Sequence, residues 1–317
     1  MTATDAARAP EALEARLRSV LEERYHHRHP FNLRMHAGAL TPEEIRRWVR
    51  NRYYYQTRIP IKDGIILAKA EDPAFRRGWI RRISDHDGRA AGEGGLELWL
   101  RLAEAVGLAR DDVASLRGIL PGARRACDAY VEFVSRHDLL ESVASSLTEL
   151  MAGPLLGARA EAFEKHYGWI APEGLAYFRS RTVQAPQDAR EGLAFVLAHA
   201  RSAGDQERCV RALERKCEIL WSLLDAVEWG GRRPRLAAAA ALRRDDPEGE
   251  ALVVLPERAV RLDASGLAIL EACDGARSVE AVAAELRRRH PDVERIEGDV
   301  FDFMEQMERL GVLEPCE

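Results

Sequence analysis

The stretch Arg52-Tyr53-Tyr54-Tyr55-Gln56-Thr57-Arg58-Ile59-Pro60-Ile61-Lys62-Asp63-Gly64 decides how this chain is read. Three consecutive tyrosines, a glutamine and three cations share one helix-like run that Pro60 is expected to break. At helical spacing Arg52, Tyr55 and Gln56 cannot all face solvent while the apolar residues face inward, so some of these polar groups should point at something buried. A flat, anionic ligand would satisfy them. Taken alone, the same composition also fits an amphipathic helix with snorkelling cations.

Working outward, residues 11–24 place Leu13, Leu17 and Leu21 on one helical face and end in the His-rich turn Tyr25-His26-His27-Arg28-His29-Pro30-Phe31. Thr41-Pro42-Glu43-Glu44 reads as a helix start, with Thr41 as cap, Pro at the first position and Glu44 closing a capping box. That helix runs into the tyrosines. Asp72-Pro73 launches another, carrying Trp79 and Ile83 toward His86. Further helical patterns cover about 94–106, 123–136, 139–152, 158–167, 187–200 and 205–227, with almost no strand signal among them. Residues 1–228 therefore read as an all-helical bundle with its site between helices.

Composition narrows the class. The chain has 317 residues, 46% of them hydrophobic and 31% charged, as in ordinary globular proteins. No uncharged run exceeds nine residues, and the N-terminus lacks a basic region followed by an apolar core, so a cytoplasmic location is expected. Five scattered cysteines (Cys127, Cys209, Cys217, Cys273, Cys316) never form a C-x-x-C pair and read as reduced thiols. Only four lysines stand against 43 arginines, which makes Lys62 and Lys216 conspicuous as compact ammonium groups.

At Trp229-Gly230-Gly231-Arg232-Arg233-Pro234 the composition shifts, and a linker is expected over residues 229–234. Short strand-like runs follow around 239–243, 251–255 and 259–262, with a polar turn Asp245-Asp246-Pro247-Glu248-Gly249 between the first two. Helical segments near 264–273, 278–290 and 295–310 complete residues 235–317, the order of a small α+β winged-helix domain. Winged helices also serve DNA binders, but residues 233–317 hold 12 arginines and no lysine against 19 acidic residues. A phosphate-binding surface needs the opposite sign. Arg287-Arg288-Arg289 is the one basic run there, and it reads as a solvated helix end.

Several motifs now carry a resemblance. The run RYYYQTRIPIKDG, Arg82, Ser84-Asp85-His86-Asp87-Gly88 and Tyr177-Phe178-Arg179-Ser180-Arg181 closely resemble the pyrroloquinoline quinone synthase (PqqC) family, in order and over most of residues 20–228. The resemblance implies a mainly α chain with the heme oxygenase/thiaminase-like helical fold, usually a homodimer. The segment LVVLPERAVRLDASGLAILEACDGARSVEAVAAEL and the closing DVFDFMEQMERLGVLE resemble the PqqD family of peptide-binding domains, RiPP recognition elements. This second resemblance implies binding of a precursor peptide and its presentation to a radical S-adenosylmethionine enzyme. Strand addition to the small sheet, at an edge strand near 251–255, is a physically reasonable mode.

By the resemblance, His86 is the catalytic proton acceptor, Arg82 binds substrate, and Tyr177 and Arg181 sit beside bound oxygen or peroxide. Spacing alone would make Tyr177 and Arg181 an exposed pair four residues apart. The aspartates flanking His86 would fix its tautomer and raise its basicity. The implied substrate is a ring-open quinoline precursor bearing several carboxylates, derived from a Glu and a Tyr of a small peptide. Carboxylates favour bidentate arginine, so Arg52, Arg82 and Arg159 are the expected anion cage, supported by Tyr25, His26, Gln56, Lys62, Tyr130, Thr148, Glu149 and Lys216.

The implied chemistry is ring closure followed by oxidation, with proton abstraction at carbon, donors for developing oxyanions, and a pocket admitting dioxygen. An electron-rich quinol passes electrons to oxygen itself, and the family is a cofactor-free oxidase that releases hydrogen peroxide. The sequence has neither a G-x-G-x-x-G nor a P-loop. It departs from the family pattern at Leu156, where a histidine of the dioxygen pocket is usual, while Glu149 and Arg159 stay in register. Two other readings compete. A di-iron oxidase on the same fold needs repeated Glu-x-x-His elements, and only Glu23-Arg24-Tyr25-His26 has that form. A non-catalytic ligand and peptide scaffold would be expected to have lost Arg52, His86, Tyr177 and Arg181, and all are present.

Overall fold

The structure, a computed structural model, describes residue 7, residues 9–244 and residues 251–316, at Cys316 the backbone alone. The chain forms two compact units, one from residues through Leu116 and Gly122–Asp225, the other from Ala226–Glu317 with Arg117–Pro121.

The first unit is helical. Its elements are α1 (Pro10–Arg24), α2 (Pro30–His36), α3 (Pro42–Lys69), α4 (Pro73–Asp87), α5 (Gly94–Ala105), α6 (Arg110–Ala114), α7 (Pro121–Arg136) and α8 (Leu139–Ser145). After a 3-10 turn at Ser146–Thr148 come α9 (Glu149–His166), α10 (Ala176–His199) and α11 (Ala203–Gly230), whose residues from Ala226 on belong to the second unit. Helix starts follow the expected local chemistry. Thr41 Oγ1 accepts from the Glu44 amide and Glu44 Oε2 accepts from the Thr41 amide, at 3.2 and 2.8 Å, while Asp72 caps α4. Pro60 does not break its helix. α3 continues through it, because the residues on both sides, Tyr53–Gln56 and Lys62, Asp63 and Ile66, are buried and hold the helix to one axis.

The other departures share that cause. The expected break between 152 and 158 is absent, since α9 carries Pro154 inside it and packs Gly153 against Pro186 of α10. α10 starts at Ala176 rather than near 187, also passing through a proline. An aromatic core lies where α3, α5, α9 and α10 meet: Trp48 and Trp99 rings stand 5.4 Å apart edge-on, Phe163 and Phe178 5.5 Å, and Trp99 and Tyr177 4.8 Å. This core forms the floor on which the functional residues sit.

The second unit is α+β. It contains β1 (Arg233–Leu236), β2 (Ala241–Arg243), β3 (Ala251–Leu255), β4 (Arg258–Leu262), α12 (Ala264–Ala272), α13 (Val279–Arg289), α14 (Ile296–Arg309) and β5 (Leu313–Cys316). Val253, Leu262, Leu270, Val282, Leu286, Phe301 and Met304 make its core. β1 and β5 pair antiparallel, and β1 is not legible in Arg233-Pro234-Arg235-Leu236, which has the composition of a linker. α11 reaches Gly230, so only Gly231 and Arg232 separate it from β1. The sheet order β2-β3-β4 corrects one expectation: β3 is the central strand, paired on both sides, and β2 and β4 are the edges. The expected turn at 245–249 lies outside the described residues. Arg288 and Arg289 both pair with Glu285 and Arg287 with Glu297, a solvated helix end.

Candidate active site

One face of α3 begins the site. Arg52, Tyr55, Gln56 and Ile59 recur at helical spacing and line one cavity. His86 closes it from the end of α4, Trp99 from α5, Thr148, Glu149, Ala152, Leu155, Leu156 and Arg159 from the 3-10 turn and α9, Tyr177 and Arg181 from α10, and Leu220 from α11. Tyr25 and His26 enter from the turn after α1. That turn is anchored twice: His29 Nδ1 accepts from the Phe31 amide at 3.1 Å, and Trp221 Nε1 donates to the Arg24 carbonyl at 2.7 Å.

Ten of the fourteen sequence-predicted site residues therefore meet around one cavity: Tyr25, His26, Arg52, Gln56, His86, Thr148, Glu149, Arg159, Tyr177 and Arg181. The other four, Lys62, Arg82, Tyr130 and Lys216, lie outside its lining. Lys216 Nζ donates to Tyr55 Oη at 2.8 Å and stands 3.3 Å from the centre of the Tyr130 ring. Lys62 Nζ lies 2.7 Å from Asp63 Oδ1 and donates to Ser146 Oγ at 3.1 Å, where the Tyr130 hydroxyl also meets it. Arg82 stacks on Trp79 at 3.9 Å and bonds to Asp188.

His86 is not oriented by its neighbouring aspartates. Its Nδ1 donates to the Arg82 carbonyl at 2.9 Å, and Nε2 is buried with no partner. Its basicity is not raised either: burial, then the charge of Arg181, pushes the imidazole down to about 4. The reason is geometric, since Asp85 and Asp87 flank it in sequence but leave a helix in other directions. Tyr177 and Arg181, an exposed pair by spacing alone, are each 4% exposed. The Tyr177 hydroxyl donates to Gln56 Oε1 at 2.9 Å, and Arg181 donates to Glu149 at 3.0 Å and to Asp188 at 3.3 Å.

The charge balance is uneven. Burial would raise the Glu149 carboxyl, but Arg181, Arg82 and Lys62 outweigh it and hold it below the usual range. Among the described residues no carboxylate pairs with Arg52 or Arg159. Arg52 lies over the Tyr55 ring at 4.0 Å, and Arg159 donates to Asn32 Oδ1 at 2.9 Å. Burial, then Arg52, pushes Arg159 down to about 9, and burial with the same arginines drives His26 well below the ordinary histidine range. Buried polar atoms without partners cluster here: His26 Nδ1, His86 Nε2 and Arg159 Nε. Such a set accepts a ligand that brings negative charge and hydrogen-bonding oxygens.

Besides the apolar lining and Trp99, a phenol and a carboxylate join the site beyond the residues that the sequence assigns to it: Tyr55, which lines the cavity, and Asp188, which bridges Arg82 and Arg181. The signal for Tyr55 is its place one turn after Arg52; for Asp188 it is the seven-residue spacing from Arg181. The single Glu-x-x-His element does not converge: Glu23 is exposed and accepts from Ser19, while His26 faces the cavity. Among the described residues no group of His, Cys, Asp or Glu is arranged to hold a metal ion, and no helix is long and apolar enough to cross a membrane. Cys127, Cys209, Cys217 and Cys273 are buried free thiols.

Comparison with known proteins adds to this geometry. Residues 14–226 match the model of the TENA/THI-4/PQQC family, and residues 250–313 match coenzyme PQQ synthesis protein D (PqqD). The bifunctional coenzyme PQQ synthesis protein C/D of Methylorubrum extorquens is 37% identical, covering 96% of this chain and 95% of its own. A pyrroloquinoline-quinone synthase of Rhizobium rhizogenes is 50% identical over 217 residues, 68% of this chain and 88% of its own. Among solved structures, a TenA homologue from P. horikoshii OT3 superposes with a TM-score of 0.56 at 12% identity, over 68% of this chain and 97% of that one. A domain with a heme oxygenase-like fold from Shewanella denitrificans OS217 does so with a TM-score of 0.54 at 14% identity, over 69% and 89%. At such identities the likeness is one of fold, and it makes the helical unit heme oxygenase-like.

Proposed function

The chain belongs to the TENA/THI-4/PQQC family and carries a PqqD domain behind it, and on that premise we propose that it is a pyrroloquinoline-quinone synthase. The helical unit closes the ring of a quinoline precursor bearing several carboxylates and oxidises it with dioxygen, releasing hydrogen peroxide, without a resident metal or organic cofactor. The PqqD unit, which begins with β1 in place of the linker expected at residues 229–234, binds the precursor peptide and partners a radical S-adenosylmethionine enzyme. Because β3 is paired on both sides, an added peptide strand takes the edge of β2 or β4. The working form is a homodimer.

The observation that carries this reading is the cavity wall in which Arg52 and Arg159, with no carboxylate partner among the described residues, stand around the bare Nε2 of His86. The arginines bind the carboxylates and fix the ring; His86, already in the Nδ1–H tautomer, takes a proton from ring carbon at Nε2. An anionic substrate raises His86 from about 4, so the base strengthens once the substrate is seated. Arg181, held by Glu149 and Asp188, presents a fixed positive charge to developing oxyanions or to reduced oxygen. Electrons leave from the quinol in pairs, each pair with two protons converting one dioxygen to hydrogen peroxide.

Single turnover tests this. Chelator-treated full-length protein is mixed anaerobically with the ring-open precursor, then given oxygen, while quinone absorbance and peroxide are followed. Quinone and peroxide together support the synthase. Binding with a spectral change but no finished quinone overturns it in favour of a protein that holds or closes the ring and depends on another oxidant.

A further inference from the structure

Tyr55 stands in the cavity wall with its phenol oxygen held from behind. Lys216 Nζ donates to that oxygen at 2.8 Å, and both side chains are buried. An oxygen that accepts from an amine directs its own hydrogen elsewhere, and among the described contacts Tyr55 Oη makes no second hydrogen bond. The cavity is the direction left to it.

Lys216 differs from the other buried lysine of this neighbourhood. Lys62 has the Asp63 carboxylate at 2.7 Å, and among the described residues Lys216 has no carboxylate in contact. It faces Tyr55, Arg52 and Lys62 of α3, Tyr130 and Cys127 of α7, and Glu149 of α9. Burial, then Lys62 and Arg52, pushes the ammonium well below the usual lysine range. A polyanion entering the cavity reverses that balance and favours the ammonium, the form whose N–H Tyr55 Oη accepts.

We propose that Tyr55 is a further catalytic residue, a phenol that passes a proton from Lys216 to an oxygen of the bound substrate. The proposal rests on reading the cavity as the synthase site. When His86 Nε2 removes a proton from ring carbon, the C–H bond breaks and its electron pair moves through the ring to a carbonyl oxygen. Tyr55 gives its hydroxyl proton to that oxygen and takes one from the Lys216 ammonium. The products are an enol, an imidazolium and a neutral amine, and no electron leaves the substrate in this step. Lys216 thereby supplies, through Tyr55, the proton that its ammonium holds in the bound complex.

The test uses the full chain and the ring-open precursor, with anaerobic binding and stopped-flow single turnover in H2O and D2O. Tyr55→Phe is expected to bind within about threefold of wild type and to slow the proton-transfer phase roughly 10²-fold or more, with loss of its solvent isotope effect. Lys216→Met is expected to lower proton uptake on binding, read from calorimetry in buffers of different ionisation enthalpy. Replacing Tyr55 by 3,5-difluorotyrosine, close in shape but more acidic, is expected to move the alkaline limb of the rate profile to lower pH, and it carries the test if Tyr55→Phe fails to fold. Wild-type rates in Tyr55→Phe, equal losses in binding and rate, or an unmoved limb in the fluorinated chain overturn the proposal. If wild type itself forms no product, the synthase reading falls and this step with it; if only Tyr55→Phe behaves as wild type, the step alone falls.

Discussion

His86 Nδ1 donates to the backbone carbonyl of Arg82, 2.9 Å away and one helical turn back, and this bond fixes which ring nitrogen is bare. A carbonyl only accepts, so the proton stays on Nδ1 and the lone pair of Nε2 faces the cavity. The residue that holds the base is thus the residue one turn before it, itself clamped by Asp188.

That burial has a pH signature. An imidazole near 6.5 in the unfolded chain and about 4 in the native one binds fewer protons when folded, so stability rises with pH across this window and is lost as pH falls through it. The contribution of His86 is about 3 kcal/mol between the two limits. Urea unfolding at pH 7 and pH 4.5 should show His86→Asn with a shallower loss than wild type; part of the slope stays, because burial lowers His26 and His36 as well. An unchanged slope would mean that His86 is charged or exposed.

Removing Arg181 should be costly. Arg181→Met leaves Glu149 without its bonded cation and Asp188 with Arg82 alone, at a cost of roughly 3 kcal/mol at neutral pH. The cost should shrink near pH 4 as these carboxylates take protons, which urea unfolding at both pH values will read. A pH-independent loss would point to packing rather than charge.

The turn that closes α4 depends on two glycines with φ of +81° and +86°, Gly88 and Gly94. A Cβ on Gly94 would lie 2.3 Å from the Gly88 nitrogen and 2.6 Å from the His86 carbonyl oxygen, so Gly94→Ala should cost about 3 kcal/mol or more and displace the base. Gly64, inside α3, is the contrast: a Cβ there would meet nothing within 4 Å, so Gly64→Ala should stabilise by about 0.5–1 kcal/mol. Thermal unfolding of the two variants should move in opposite directions.

Leu156 lines the cavity beside Leu155 and Ala152, an apolar stretch of wall where the PqqC family usually has a histidine. Leu156→His places a donor within the cavity, and the expected result is a faster oxygen-dependent phase with anaerobic binding held within about threefold. A slower phase would show that Arg181 and Tyr177 handle reduced oxygen without help from this side.

Legibility follows local chemistry. Capping at Thr41 and Asp72, and the helical face shared by Arg52, Tyr55 and Gln56, need only neighbours in sequence and are readable there. Pro60, Pro154 and Pro186 read as breaks because the packing that carries helices through them comes from distant residues. The orientation of His86 misleads for the same reason: Asp85 and Asp87 are adjacent in the chain, while the atom that holds the ring is a main-chain oxygen. β1 is invisible because its partner, β5, begins 77 residues after it ends. The division of the cations into cavity-lining Arg52, Arg159 and Arg181 and outlying Lys62, Arg82 and Lys216 depends on side-chain reach, which spacing does not specify.

Trp99 gives the site an optical property of its own. Of the six tryptophans it is the one that lines the cavity, fixed by donation from its Nε1 to the Val49 carbonyl at 2.9 Å and seated edge-on to Tyr177. An indole so buried and so held emits from a single environment, and a quinoid molecule lodged against it is a near-ultraviolet acceptor. Occupancy of the cavity will therefore be written in the protein's intrinsic fluorescence, with Trp99→Phe as the chain that has gone dark to its ligand.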